Sequence, residues 1–284
     1  MEAIIRNLTG LQKRILTSAT NTVEIPDFTG IVAHNKLDFS ANRQTLAGMK
    51  IYTVSSDSKD KLSALFYLLC QISNEATLVF CNHRDAAKRV SDSLNSSGVV
   101  NELFHGGLDQ VVRERVIAKF RNGSCNVLVC TDLAARGLDI PEVKNVVHYH
   151  FPANEDSYTH RNGRTARMNA EGNVFIILNK EETLPSYIHT LPEIVDLTDS
   201  RELPSKPYWS TIYIGKGKKD KLNKVDIVGF LMQKGNLRSE EIGLIEVKDN
   251  FAYVAVKRTV IGGLLRRIRN EKIKNKKAVI EECL

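Results

Sequence analysis

No stretch of about eighteen consecutive apolar residues occurs anywhere in the 284-residue chain, so a membrane-spanning helix is not expected. The opening residues lack the basic start and apolar run of a secretory leader. Cysteine is sparse and odd in number: Cys70, Cys81, Cys125, Cys130 and Cys283, with no C-x-x-C pair. That excludes a disulfide framework and argues against a structural zinc site, so no metal is expected. Reduced thiols and a cytoplasmic protein are the expectation, and no internal repeat is visible.

What is present describes a soluble globular protein with sizeable cores: 42% of residues are hydrophobic and 26% charged. The length favours two domains. The net charge of +7 is unevenly placed. Residues 209–284 hold 17 lysines and arginines against 9 acidic residues, a balance of +8, whereas residues 1–208 hold 23 against 24. The excess charge of the C-terminal quarter is the footprint of an anionic polymer partner.

From residue 48 onward, short Val/Ile/Leu-rich strands alternate with helices. Strands are predicted at 50–55, 76–81, 99–104, 126–130, 145–150 and 173–178, with helices near 59–72, 84–97, 109–121 and 155–166. This rhythm implies a parallel sheet covered on both faces, with ligands meeting the loops at the carboxyl ends of the strands. Residues 179–210 break the pattern with Pro185, Pro192, Pro204 and Pro207 and read as a linker that could hold a short helix at 181–190. Beyond it the order becomes strand 211–216, helix 223–234, strands 242–248 and 251–257, helix 259–270 and strand 277–282. That βαββαβ order is the plan of a ferredoxin-like α+β domain. Residues 1–47, with a helix at 1–7 and strands at 13–20 and 35–39, cannot enclose a core and read as the tail of another domain.

Chemistry concentrates in the carboxyl-end loops. "HRNGRTAR" (160–167) spaces Arg161, Arg164 and Arg167 three residues apart, a cationic stripe suited to a triphosphate or, taken alone, to a solvated helix face. "VFCNHRD" (79–85) and "TDLAARGLD" (131–139) each leave a strand end. "FHGGLDQVVRERV" (104–116) places a glycine pair after a strand, then Gln110 and Arg113 on a helix. Glycines let a phosphate backbone approach the main chain, and helix N-termini favour phosphate.

With "SAT" (18–20), this ordered set resembles motifs III to VI of the DEAD-box RNA helicases over about residues 13–178, the second RecA-like domain of their core. The resemblance implies that Arg164 and Arg167 are arginine fingers toward ATP and that Gly137 and Asp139 contact its ribose. It implies that Asn82, Gly106 and Thr131 hold phosphates of single-stranded RNA. Ser18 and Thr20 would couple nucleotide state to domain closure, with His160 a partner in that coupling. Gln110 and Arg113 either order the RNA-binding loop or are merely structural. The usual "HRIGRTGR" appears here with Asn162 and Ala166.

The chain contains neither G-x-x-x-x-G-K-[ST] nor D-E-A-D. The phosphate-cradling loop, its lysine and the magnesium carboxylates are thus missing. Family membership implies ATP with Mg2+ in an intact parent, but tight nucleotide binding and hydrolysis are not expected of this chain alone.

"YIGKGKKDKLNKVDIVGFL" (213–231) and "IGLIEVKDNFAYVAVKR" (242–258) resemble the RNA-binding domain of DbpA-type helicases, an RRM variant. The resemblance implies docking onto a hairpin of large-subunit ribosomal RNA during ribosome assembly. Residues 257–277 carry nine lysines and arginines against Glu271 alone, so binding to RNA phosphates should fall steeply with salt. Lys216, Lys218, Lys219, Arg266, Arg267, Arg269 and Lys274 are the candidate contacts. Tyr213, Phe251 and Tyr253 lie on strands that would be central, where they either stack on bases or fill the core.

The expectation is therefore a RecA-like α/β domain (48–178), a linker (179–210) and an RRM-like domain (211–284), preceded by a remnant (1–47). The expected function is the C-terminal part of an ATP-dependent RNA helicase acting as a monomer on RNA and pre-ribosomal particles, away from membranes. The alternatives are a stand-alone RNA-binding module without ATPase activity, a general RNA helicase fragment with a basic tether, and a DNA helicase or translocase.

Overall fold

A computed structural model describes residues 2–8, 10, 12–17, 25–31, 35, 37, 48–135, 140–166, 171–198 and 202–283. The chain divides into two compact units, residues 1–47 and 48–284. The first contains α1 (Glu2–Arg6) and a 3-10 turn, Asp27–Thr29, closed by Gly30 at φ 64°. The described part of the strand predicted at 13–20, residues 13–17, is irregular.

The second unit begins with β1 (Met49–Ser56), α2 (Leu62–Ile72), β2 (Thr77–Phe80), α3 (Arg84–Ser96) and β3 (Asn101–Phe104). It continues with α4 (Gln110–Arg121), β4 (Val127–Cys130), β5 (Asn145–His148), α5 (Glu155–Asn162), β6 (Gly172–Asn179) and β7 (Glu193–Val195). The seven strands form one parallel sheet in the order β3-β4-β2-β5-β6-β1-β7. Every residue of the central strands β2, β4 and β5 is buried, which is why β2 and β4 read as near-continuous apolar runs rather than alternating ones. On one face, Leu65, Leu68 and Leu69 of α2 and Val90 and Leu94 of α3 meet Val79, Val129 and Val147. On the other, Val116 and Phe120 of α4 meet Leu78, Leu128 and Val146. This is the α/β architecture expected from the strand rhythm.

The stretch read as a linker does more than connect. Its residues 193–195 form β7, parallel to β1 with Thr53 opposite Ile194. Leu184 and Ile188 pack on the α4 side of the sheet, Val195 and Leu197 on the α2/α3 side. No helix forms at 181–190. The strap thus touches both faces of the domain before reaching residue 208.

The remaining strands, β8 (Trp209–Ile214), β9 (Ile242–Val247), β10 (Ala252–Lys257) and β11 (Ile280–Glu282), form an antiparallel sheet in the order β11-β8-β10-β9. Helices α6 (Lys224–Gln233) and α7 (Ile261–Ile268) cover one face, burying Ile227, Leu231, Leu264 and Ile268 against Ile212, Ile214, Val254 and Val256. A reciprocal cap between Asn223 and Asp226 starts α6.

Candidate nucleic-acid interface

The carboxyl ends of β2 and β4 open into a cleft of about 650 Å³ lined by Asn82, Arg84, Thr131, Asp132 and Leu133. The glycine pair after β3 closes it from the side: a methyl group on Gly107 would stand 3.0 Å from Arg84 Nη1, and one on Gly106 would stand 3.4 Å from Leu133. His105 sits in the same loop and accepts the Gly107 amide at 3.0 Å. Burial, followed by the charge of Arg84, lowers its pKa and favours the neutral ring. Three of the sequence-predicted RNA contacts, Asn82, Gly106 and Thr131, therefore converge. Arg84, although part of a motif noted in the sequence, was not among them. Arg113 Nε donates to the Leu108 carbonyl at 2.9 Å and so orders the same loop, whereas Gln110 pairs with Glu114 along its own helix.

The arginine stripe resolves differently along its length. Arg161 is fully buried, and the anion opposite it belongs to the chain itself: its Nε donates to Asp132 Oδ1 at 2.5 Å. Arg164, 8% exposed, lies in the turn after α5, and His160 is half-buried on α5. Ser18, Thr20, Gly137, Asp139 and Arg167 lie outside the described residues.

The two departures from the usual arginine motif have physical readings. Asn162 is buried, and its Oδ1 accepts from His148 Nε2 at 2.8 Å. An isoleucine there would leave that nitrogen unpaired. Burial, then the Arg161 charge, push His148 down to about 3, so it is held neutral and can donate. Ala166 adopts φ 53°, the left-handed region that favours glycine. Ala166→Gly is accordingly expected to raise stability by about 0.5–1 kcal/mol, read from urea denaturation midpoints; an unchanged or lower midpoint would refute the strain.

The cysteines are chemically quiet. Cys81 and Cys130 stand at adjoining strand ends, where the Cys81 amide donates to the Cys130 carbonyl at 2.8 Å, but their side chains belong to opposite faces of the sheet. Burial pushes Cys81 up to about 12 and Cys130 well above the usual thiol value, so neither is a nucleophile.

The basic domain sorts its cations. Lys274 is held by Asp226 at 2.9 Å and by the Lys221 carbonyl, Lys216 by Asp220 at 3.2 Å, and Arg267 by the Gly235 carbonyl. Lys218, Lys219, Arg266 and Arg269 are exposed and make no ion pair among the described residues.

The aromatic trio packs into a buried cluster, but not against the helices of its own domain. Tyr213, Phe251 and Tyr253 form a cluster of adjoining rings on the face opposite α6 and α7, so they do not fill that core. They pack with Cys283 against Ala118 of α4, and Tyr253 is only 2% exposed. Polar contacts fasten the two domains around them. Arg121 meets Glu246 at 2.8 Å, Thr211 Oγ1 pairs with Asn122 and Ser124, and Arg258 reaches the Ser124 carbonyl at 3.1 Å. The face that would stack bases in an RRM is here a domain-docking face.

Two family models match. The helicase conserved C-terminal domain matches residues 60–169 and the DbpA RNA binding domain matches residues 211–282. The chain is 30% identical to the ATP-dependent RNA helicase DbpA of Escherichia coli over 97% of its own length. The chain thus carries a helicase C-terminal domain and a DbpA RNA-binding domain, and is similar to DbpA-type DEAD-box RNA helicases. A second relative, DbpA of Bacillus subtilis, is 25% identical across the whole chain. The chain spans 65% of that relative and 62% of the Escherichia coli one. The helicase match covers the cleft and α5, and the RNA-binding match covers the docked basic domain. No described helix is long and apolar enough to cross a membrane.

Proposed function

We propose that this chain is the RNA-gripping part of an ATP-dependent RNA helicase that remodels a large-subunit ribosomal RNA hairpin during ribosome assembly. The observation that carries the reading is the convergence of Asn82, Arg84, Gly106 and Thr131 on one open cleft, in a unit whose second domain also exposes Lys218, Lys219, Arg266 and Arg269. Backbone-binding residues in a cleft, with a separate basic surface, are what gripping a strand beside an anchored hairpin requires.

By itself the chain binds RNA without hydrolysing ATP. Arg164 and Arg167 would serve a triphosphate from one side only, because the sequence has no phosphate-cradling loop and no lysine to pair with it. Micromolar affinity for ATP would contradict this.

The test is binding of the whole chain to a large-subunit rRNA hairpin and to a scrambled hairpin of equal length, over a salt series. Preference for the natural hairpin by about 4 kcal/mol or more supports targeted assembly work. Replacing Lys218, Lys219, Arg266 and Arg269 together by alanine should flatten the salt slope by about 0.7 for each phosphate left without its cation. Equal affinities for both hairpins would leave a general RNA-binding module, and preference for DNA would overturn the RNA assignment.

A further inference from the structure

Arg161 has no surface to offer a ligand, yet it holds two of the residues that line the cleft, Asn82 and Asp132. Its guanidinium sends donors to three different segments. Nε reaches Asp132 Oδ1 after β4, Nη1 reaches the His150 carbonyl at 2.9 Å, and Nη2 reaches Asn82 Oδ1 after β2 at 2.8 Å. The plane lies over the Phe80 ring at 5.1 Å. Its backbone carbonyl meanwhile accepts the Arg164 amide at 3.2 Å.

Two of these contacts decide what the cleft presents to an anion. A guanidinium only donates, so the Asn82 amide must turn its oxygen inward to Arg161. Its nitrogen gives one hydrogen to the Phe151 carbonyl at 2.8 Å, and the second hydrogen remains for the cleft. Asp132 would be an obstacle: its side chain is 41% exposed in a cleft suited to phosphate. Arg161 neutralises it from beneath.

We propose that Arg161 is the positioning residue that makes this cleft competent for RNA phosphate, by orienting the Asn82 amide and cancelling the Asp132 charge from the helix that leads to Arg164. The proposal rests on the cleft being the RNA backbone site. It assigns Arg161 no contact with RNA or nucleotide. Because one side chain spans α5 and both cleft loops, any displacement of α5 reaches Asn82 and Asp132 directly.

The experiment follows the methyl NMR signals of Leu133 and Thr131, which report the cleft rather than the basic domain, while the whole chain is titrated with a uridine hexamer. In the wild type these signals should shift and saturate, and Asn82→Ala should weaken that binding. Unmoved signals would refute the cleft as an RNA site. If they move, Arg161→Gln is expected to weaken cleft binding about tenfold, the effect of losing charge-assisted hydrogen bonds. Adding Asp132→Asn to Arg161→Gln should restore part of the affinity, because the uncancelled charge is then gone. A merely structural arginine would give no such rescue. Arg161→Lys keeps the buried charge and covers the case in which the glutamine variant does not fold. An ammonium cannot span Asp132, His150 and Asn82 together, so it too should weaken binding several-fold. Wild-type cleft affinity in Arg161→Lys, or absence of rescue by Asp132→Asn in a folded Arg161→Gln, would overturn the proposal.

Discussion

Acidifying the protein from pH 6.5 to about 4 is expected to cost roughly 3 kcal/mol of folding stability through His148 alone. Burial and the neighbouring Arg161 charge hold this imidazole down to about 3, against an ordinary value of 6.5. The sign follows from proton uptake. Below pH 6.5 the unfolded chain binds a proton at this position while the folded one refuses it, so acid favours unfolding. Above pH 6.5 both states are neutral, and His148 adds no pH dependence. His105 and His150 are also lowered, mainly by burial, and act in the same direction. Asp226, held low by its hydrogen bond from Lys274, begins to contribute only near and below its ordinary value of 3.8. Comparing urea titrations of the wild type and His148→Gln at pH 4, 5, 6 and 7.5 isolates the effect. Glutamine retains a donor for Asn162 but has no proton to take up. The wild-type stability should fall about 1 kcal/mol per pH unit faster than that of the variant. Parallel curves would mean that His148 titrates normally.

Lys61→Met should destabilise the fold by about 3–5 kcal/mol, the cost of leaving a buried ionic group without its partner. Lys61 is 2% exposed and stands at the start of α2 with φ 55°. Its ammonium donates to the carbonyls of Tyr149 at 3.3 Å and Ile177 at 2.9 Å and pairs with Glu182, while Phe151 lies 5.7 Å away. All three protons are therefore used, and they join the ends of β5 and β6 to the N-terminus of α2 and to the strap. Methionine matches the stem but strands two carbonyls and a carboxylate. Glu182→Gln, whose partner keeps two of three acceptors and which is partly exposed, should cost far less. Equilibrium unfolding in urea distinguishes the two; a loss below about 1 kcal/mol for Lys61→Met would show that water replaces the lysine freely.

Much of this fold was legible because its buried strands carry their own signature. "TLVF" and "VLVC" are apolar on both faces, and only a covered parallel sheet accommodates that. Strand β7 escaped notice for the opposite reason. "EIV" is three residues long, its glutamate and isoleucine are exposed, and its pairing with β1 is made about 140 positions away in sequence. The arginine stripe was visible as a charge pattern, but the partners of Arg161 were not. Asp132 and Asn82 stand on other loops, and helical spacing says nothing about them. The Asp of "TD", an anion placed in a loop read as phosphate-binding, was the signal that a buried cation would be needed beside it. The aromatic trio shows the limit of reading one domain at a time. Strand alternation separates Tyr213 and Tyr253 from Ile212 and Val254, but the identity of what covers them is written in α4.

That cover has a consequence for how the protein can be divided. Separated from the helicase domain, residues 205–284 would turn Tyr213, Phe251, Tyr253 and the Cys283 sulfur out to water and leave Glu246 without Arg121. The joint that falls naturally between two family matches in the sequence is therefore not a joint in the hydrated surface. The smallest piece of this chain with a clean exterior includes α4 as well as the domain that α4 shields.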